Sequence, residues 1–299
     1  MKAKFFLNLS MVLLAGLSLM LQGCTSTEDP NKQLNADVKL IDEYLAAQGT
    51  PNVLYDNSTG VRFIIRHYGD NAPPKEGQRI KATYVGRIFS SSGTFDTFEP
   101  AGVIDDNIED VEPFGLKYIY SVILKGSEAT VFLPSKYGYG EAGTSTVPPN
   151  SILVYNVKLD TVIRSTADQN QLKSDSTAIG QFLQDSSYTN AVRLPSGVWY
   201  RIKTLGNGSR PTPYSLAAFD YKLQTLTANK PSAIIEQNTL TNQGVFGLID
   251  GLKIGLPEIT VGSRVIFYIP SVLGYGDTKQ GSIPANSILI FDISLKSFQ

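Results

Sequence analysis

The chain has 299 residues, 42% of them hydrophobic and 18% charged, and a formal net charge of −1. Its 26 basic and 27 acidic residues nearly balance, and no basic stripe is present, which argues against nucleic acid binding. His67 and Cys24 are the single histidine and the single cysteine, so catalytic triads and His-rich or Cys-rich metal sites lack their parts. We therefore expect neither a cofactor nor a metal.

The first 24 residues have the form of a bacterial export signal. Lys2 and Lys4 precede an apolar stretch over residues 5–21, and the segment ends at Cys24. A charged segment followed by an apolar one predicts a signal peptide over residues 1–23. Its ending, Leu-Gln-Gly-Cys, resembles a lipobox, which implies that Cys24 is lipidated. A plain cleaved signal or a single membrane span is the alternative.

Lipidation at Cys24 would place the protein on a membrane, because stable anchoring takes more than one acyl signal. The next residue is Thr25 rather than Asp, which in such lipoproteins resembles export to the outer membrane. We expect a lipid-anchored protein of the bacterial cell envelope, at the outer membrane. The sequence does not say whether it lies on the periplasmic or the surface face. Without Lys2 and Lys4, 24 basic residues face 27 acidic ones, and the net charge is −3.

A long repeat organises the remaining chain. Residues 134–140 return as residues 270–276, and residues 147–155 return as residues 283–291, in both cases 136 positions later. This period is much longer than the roughly 20–50 residues of a solenoid repeat, so it predicts tandem domains. The predicted boundaries are a signal peptide (1–23), a tether with a short helix (24–52), domain 1 (53–165), a linker with a short helix (166–190) and domain 2 (191–299).

Each copy predicts several strands and one helix. Short β-branched and aromatic runs predict strands at residues 61–65, 81–85, 129–133 and 152–162 of copy one, with a helix over 115–124. Copy two predicts strands at 198–202, 217–226, 264–269 and 288–295 and a helix over 251–259. Pro257 would perturb this helix if it lies in the helix interior. This content favours an α+β fold, with an antiparallel sheet wrapped on a helix in each domain.

An acidic cluster over residues 105–112 stands in what the sequence indicates is an insertion present only in copy one. Its spacing does not match an EF-hand loop. A solvated acidic loop is the prediction, and a weak Ca²⁺ site is the alternative. We interpret His67 as a surface or strand residue, because copy two has Thr204 in its place.

The repeated motifs resemble those of a known family. Tyr84-Val85-Gly86, residues 93–96, Gly126, residues 134–140 and residues 147–155, in that order, are similar to FKBP-type peptidyl-prolyl cis–trans isomerases. The resemblance covers roughly residues 55–165 and again 192–299. It implies two FKBP-like domains, each a curled antiparallel β-sheet around one short helix, with a shallow aromatic pocket and no cofactor.

The resemblance also implies roles for residues of copy one. Asp96 would lie beside the twisting carbonyl, Phe95 would be the aromatic residue next to it, and Tyr139 would donate its hydroxyl to the peptide. The pocket walls would be Tyr84, Leu116, Val147 and Tyr155. Ordinary core packing is an equally good interpretation of Val147 and Tyr155, since both follow the two-residue period of a strand.

Each copy departs from the family pattern in a different place. In copy one, Leu116 stands where a tryptophan is usual, and Pro113 would remove a backbone N–H if it occupies the donor position. Copy two keeps the donor stretch at residues 248–252 but has Ile235-Glu236 in place of Phe-Asp. Its substrate-binding residues would be Tyr221, Ile249, Leu252, Tyr275, Ile283 and Phe291.

The sequence thus favours a prolyl isomerase or folding helper for exported proteins, tethered to the envelope by a lipid. Copy one is the preferred catalyst, and copy two is interpreted as a degenerate fold that is doubtful as an enzyme. The expected partners are proline-containing peptide segments of exported proteins and the membrane, with no nucleic acid, and the expected state is a monomer. The alternatives are a non-catalytic lipoprotein that binds a peptide or an envelope partner, and a purely structural envelope component.

Overall fold

The computed structural model describes residues 29–90 and 95–299, and for residues 95–97, 99 and 100 the backbone only. The predicted signal peptide and Cys24 therefore lie outside the described residues. Within the described part of the chain, no helix is both long and apolar enough to cross a membrane.

The first unit consists of two helices and one antiparallel sheet. The chain runs α1 (Lys32–Ala47), β1 (Leu54–Tyr55), β2 (Arg62–His67), β3 (Arg79–Phe89), β4 (Phe95–Asn107), α2 (Phe114–Val122), β5 (Glu128–Leu133) and β6 (Ile152–Ile163). The sheet order is β1-β2-β5-β6-β3-β4, and neighbouring strands are antiparallel.

The second unit repeats this plan. The chain continues with α3 (Thr166–Asp185), β7 (Val192–Arg193), β8 (Trp199–Thr204), β9 (Leu216–Thr227), β10 (Lys230–Pro231), β11 (Glu236–Gly244), α4 (Asp250–Gly255), β12 (Arg264–Ile269) and β13 (Ile288–Phe298). The strands follow the order β7-β8-β12-β13-β9, and β9 pairs with both β10 and β11. The predicted α+β class and the two antiparallel sheets are confirmed.

Both faces of each sheet are covered, so each unit has three layers. On one face α2 lies on a core that includes Leu116, Ile119 and Tyr155, and α4 lies on the corresponding core of domain 2. On the opposite face α1 buries Ile41 and Leu45 against the sheet, and α3 buries a matching set. Two-sided burial explains why the start of β6 is buried at consecutive residues rather than alternate ones.

The segment around residue 175 is more than a linker. The sequence predicts a short helix within residues 166–190, whereas α3 has 20 residues and packs on the sheet of domain 2 through Ile179, Phe182 and Leu183. Pro257 falls outside α4, in a 3-10 turn over Leu256–Glu258, so it does not interrupt the helix.

The predicted insertion in copy one is wrong. Residues 95–107 form β4, which occupies the same place beside β3 as β11 does beside β9. Asp105 lies on this strand rather than in a loop, and its carboxylate is 2.7 Å from Arg79 Nε and 3.3 Å from Lys81 Nζ. The two copies therefore have the same elements here, with different sequences.

Candidate functional site

Site 1 is a cluster of aromatic and apolar side chains on the inner face of domain 1. The Tyr84 and Tyr155 ring centroids are 5.8 Å apart, at an angle of 73°. Leu116, Val147 and Tyr155 are at most 1% exposed and belong to one core cluster, against which Tyr84 and Tyr139 pack as partly buried residues. The structure thus brings together all the wall residues predicted for copy one.

Phe98 is a member of Site 1 that the sequence analysis missed. Its ring centroid lies 6.4 Å from that of Tyr139 and 5.9 Å from that of Tyr155, edge to face in both pairs. Edge-to-face contacts of this kind fix ring orientation as well as bury area. Phe98 therefore links the two tyrosines.

Phe95 and Asp96, the predicted catalytic pair, are described as backbone only, and their roles stay predictions. In the sheet they pair with Phe89 and Ile88. Glu99 pairs with Gly86, which in turn pairs with Tyr155. The register thus brings Glu99, rather than Asp96, opposite the strand position next to Tyr155.

The same register in domain 2 leads to Glu236. This residue pairs with Leu223, which pairs with Phe291, the counterpart of Tyr155. The Phe98-Glu99 and Ile235-Glu236 pairs therefore correspond, both 137 positions apart (98 to 235 and 99 to 236). A comparison of the copies at this constant offset could have found the carboxylate.

Site 2 combines apolar walls with a paired carboxylate. Leu252, Ile283 and Phe291 are 3–5% exposed, and the Tyr221 and Phe291 rings lie 5.8 Å apart. The Tyr221 hydroxyl donates a hydrogen bond to the carboxylate of Glu236. Tyr275 and Ile249 pack on the same cluster as partly buried residues. The structure thus brings together all six residues predicted for copy two, and their role in substrate binding stays a prediction.

The electrostatics of Site 2 keep its hydroxyls protonated. Burial, followed by the hydrogen bond to Glu236, raises the pKa of Tyr221 above the usual value for tyrosine. Burial, followed by the negative charge of Glu236, raises the pKa of Tyr275. Both phenols therefore keep their protons at neutral pH, and the Tyr221 proton is donated to Glu236.

The two sites differ at the residue that precedes the helix. Pro113 is the N-cap of α2 (φ −71°, ψ 169°), and Ile249 is the N-cap of α4 (φ −61°, ψ 151°). Gly115 and Gly251, two residues further on, both pack against the sheet so closely that a Cβ would meet Leu133 or Ile269. Pro113 and Ile249 therefore occupy equivalent positions.

This equivalence decides which site has a backbone donor. Proline has no N–H to offer. The Ile249 N–H makes no hydrogen bond to any residue that the structure describes. Since Ile249 packs on the apolar cluster of Site 2, its N–H is a free donor beside these side chains. Such an arrangement can hold a carbonyl of a bound peptide.

The comparisons with known proteins agree with this geometry. The FKBP-type peptidyl-prolyl cis-trans isomerase family matches residues 70–160 and 208–296. The chain is 24% identical to the isomerase FkpA of Aeromonas hydrophila over 196 residues, which are 66% of this chain and 71% of that protein. It is 24% identical to FKBP9 of Bos taurus over 234 residues, 78% of this chain but 34% of FKBP9.

Two solved structures are also similar to this chain. The three FKBP domains of wheat FKBP73 cover 81% of this chain and 96% of their own at 18% identity and a TM-score of 0.33. FkpA from Escherichia coli covers 44% of this chain and 60% of its own at 24% identity and a TM-score of 0.35. Together with the two matched regions, the repeated fold and the paired pockets define a tandem-domain protein. The chain belongs to the FKBP-type peptidyl-prolyl cis–trans isomerase family.

Proposed function

We propose that the protein catalyses the cis–trans isomerisation of prolyl peptide bonds, and that Site 2 is the catalytic site. The observation that supports this assignment is the free Ile249 N–H beside a pocket that also contains the Tyr221–Glu236 pair. The sequence favoured copy one because of Phe95-Asp96, whereas the geometry favours copy two. FkpA of Aeromonas hydrophila, the relative that this chain matches over 71% of its length, is named as such an isomerase.

The chemistry needs no nucleophile. A prolyl bond isomerises over tens to hundreds of seconds, because amide resonance imposes a barrier of about 18–20 kcal/mol. The twisted transition state has lost that resonance and is less dipolar at the amide. An apolar pocket walled by Leu252, Ile283 and Phe291 therefore favours it over the planar ground state, and donors fixed in place hold the twisted geometry.

Each polar group of Site 2 has a role in this proposal. The Ile249 N–H and the Tyr275 hydroxyl donate to carbonyls that flank the proline, which fixes the peptide while the prolyl bond turns. Glu236, oriented by the Tyr221 hydroxyl, is the polar residue beside the twisting carbonyl. A carboxylate there interacts more favourably with a carbonyl carbon whose oxygen has rotated away from it.

An isomerisation assay on a proline-containing peptide tests the catalytic claim. The unaltered chain is expected to accelerate isomerisation, and Ile249→Pro is expected to lower the acceleration. Absence of acceleration by the unaltered chain would contradict the proposal. Full activity in Ile249→Pro would contradict the assignment of Site 2 as the catalytic site.

A second function, peptide binding without catalysis, is favoured for Site 1. Its walls are aromatic and partly open at Tyr84, Phe98 and Tyr139, but Pro113 supplies no N–H at the donor position. Site 1 can therefore hold a proline-containing segment with less stabilisation of the twisted state. In this arrangement domain 1 retains a client while domain 2 acts on its prolyl bonds.

The clients proposed are exported proteins, and the location is the outer membrane of a bacterial envelope. Support comes from the export signal, the lipobox-like ending at Cys24 and the polar tether before α1. Membrane fractions of cells that make the unaltered chain are expected to contain the protein, and Cys24→Ala is expected to shift it to the soluble fraction. Equal membrane retention of the variant would exclude a lipid anchor at Cys24.

A further inference from the structure

A short segment of domain 1 enters domain 2. Ala72 is 5% exposed and belongs to the core cluster of domain 2 rather than that of its own domain. Pro73 and Pro74 follow it and are buried. On the domain 1 side, the Ala72 carbonyl accepts a hydrogen bond of 3.4 Å from the Lys125 N–H. The two prolines restrict the backbone and so fix the position of the next residue, Lys75.

Lys75 makes two contacts with domain 2. Its Nζ lies 3.1 Å from Asp250 Oδ2 and donates a hydrogen bond of 3.1 Å to the Val272 carbonyl. The Asp250 side chain is 7% exposed, and its other oxygen is 3.0 Å from Lys253 Nζ. A buried carboxylate needs such pairing, because removing one partner leaves part of its charge uncompensated.

The two contacts join two segments of Site 2. Asp250 directly follows Ile249, whose N–H is the proposed donor to the substrate. Val272 belongs to the 3-10 turn Ser271–Leu273 that precedes Tyr275, the second donor. Lys75 thus ties together the backbone segments that carry the two donors.

Domain 1 has no equivalent connection among the described residues. The counterpart of Lys75 is Thr212, because Lys75 N–H donates to Gln78 and Thr212 N–H donates to Ser215 in the same turn. The counterpart of Asp250 is Phe114, which is 48% exposed. Among the side chains that the structure describes, the charged contact from the other domain is therefore found at Site 2, the site with the free N–H, and not at Site 1.

We infer that Lys75 of domain 1 is a positioning residue for Site 2, so that domain 1 sets the activity of domain 2. This inference rests on the proposed function. Pairing with Lys75 keeps Asp250 buried and holds the Ile249 N–H and the Tyr275 hydroxyl at a fixed separation. Without this pairing, the Asp250 carboxylate moves toward water. The backbone next to it then shifts, and the Ile249 N–H no longer points toward the peptide carbonyl.

Substitution of Lys75 in the full chain tests the inference. Lys75→Met is expected to lower kcat/KM for a proline peptide by about three- to tenfold, mainly through kcat, as is typical of coupling across an interface. Lys75→Arg, which keeps the charge, is expected to recover most of it. Lys81→Met removes a half-exposed ion pair with Asp105 within domain 1 and is the matched control, with unchanged activity expected.

A second measurement separates positioning from general stability. If Lys75 acts through Asp250, Lys75→Met added to Asp250→Asn is expected to cost much less than Lys75→Met alone. Additive effects would overturn the inference, as would full activity in Lys75→Met.

Failure of the inference and failure of the proposed function give different results. If the unaltered chain is active and Ile249→Pro is less active, a fully active Lys75→Met contradicts the inference alone. If the unaltered chain is inactive, the proposed function fails, and the affinity of the peptide measured by calorimetry replaces the rate. An equal affinity for Lys75→Met and the unaltered chain then overturns the inference, and a weaker affinity for the variant supports it.

Discussion

At the scale of the residue, one backbone N–H distinguishes the two sites. Ile249 already has the φ of −61° that proline requires, and Leu248 before it is extended (φ −84°, ψ 172°). The backbone at residues 248 and 249 is therefore compatible with proline in place of Ile249. The substitution removes a hydrogen-bond donor with little effect on the fold.

Ile249→Pro is accordingly expected to reduce kcat/KM by about five- to tenfold, the value of roughly one hydrogen bond lost in the transition state. Ile249→Val, which keeps the N–H and removes one methylene, is the control and is expected to stay within about twofold of the unaltered chain. The measurement is the rate of isomerisation at equal protein concentration, with denaturation curves for both variants. A loss of equal size in Ile249→Val would assign the effect to the side chain instead.

Sequence reasoning located the apolar residues of both sites and aligned Glu236 with the family carboxylate, but it missed Phe98 and Glu99 in copy one. The Tyr-Gly and Pro-x-Asn-Ser-Ile-Leu motifs are core and turn residues, so both copies preserve their spacing and the walls could be predicted. β4 and β11 lie at the sheet edge, and β11 is mostly exposed, so packing restrains their sequences little. Phe95-Asp96 matched the family motif locally, whereas Glu99 is related to Glu236 by the strand register and by the offset of 137 positions rather than by a local motif.

At the scale of the element, α1 and α3 each dock on their sheet through an equivalent set of one aspartate, one serine and one glutamine. In domain 1, Asp37 on α1 accepts hydrogen bonds from Ser135 N–H (2.7 Å), Ser135 Oγ (2.6 Å) and Gln33 Nε2 (2.7 Å). In domain 2, Asp175 on α3 accepts the same set from Ser271 and Gln171, at 2.7, 2.6 and 2.8 Å. Both carboxylates are at most 4% exposed. Each helix thus supports the turn that leads to the pocket tyrosine.

Asp175→Ala is expected to destabilise domain 2 by about 3 kcal/mol, because three hydrogen bonds to a buried charge are lost and Ser271 keeps an unpaired N–H. Urea denaturation followed through Trp199 fluorescence measures the effect, since Trp199 packs on the same helix. The control is Asp185→Ala at the exposed end of α3, which removes hydrogen bonds from Gln181 and Asn229 at the surface. Its cost is expected to be below about 1 kcal/mol. Equal costs for the two variants would contradict the docking role of Asp175.

At the scale of the whole molecule, each domain contributes a side chain that packs against the core of the other domain. Ala72 of domain 1 enters the core of domain 2, and Tyr214 of domain 2 packs against the core of domain 1. The Tyr214 ring stacks on Phe246 at 5.5 Å and meets Phe63 edge to face at 6.0 Å, and its hydroxyl donates to the Val122 carbonyl at 3.1 Å. Phe246 lies only three residues before Ile249. The interface is therefore continuous with the segment that carries the Site 2 donor.

Burial of Tyr214 makes this interface sensitive to alkaline pH. Burial, followed by the neighbouring phenols of Tyr68 and Tyr118, raises the pKa of Tyr214 above its ordinary value of about 10. A pKa raised by folding gives a stabilisation that is complete below the unfolded value and is lost as the pH rises through the folded one. Thermal stability is thus expected to fall above about pH 10, as the phenolate forms and leaves the interface.

Tyr214→Phe is expected to make the fall in thermal stability between about pH 10 and pH 11 less steep, since the phenol that must ionise is gone. At neutral pH the variant is expected to be less stable by about 1 kcal/mol, the value of one hydrogen bond. Tyr120→Phe is the matched comparison. Burial raises the pKa of Tyr120 too, but its hydroxyl bonds to Thr83 within domain 1. Small-angle scattering at alkaline pH is expected to show separation of the domains in Tyr120→Phe and in the unaltered chain, but less in Tyr214→Phe. Equal separation in all three would show that Tyr214 does not hold the interface closed.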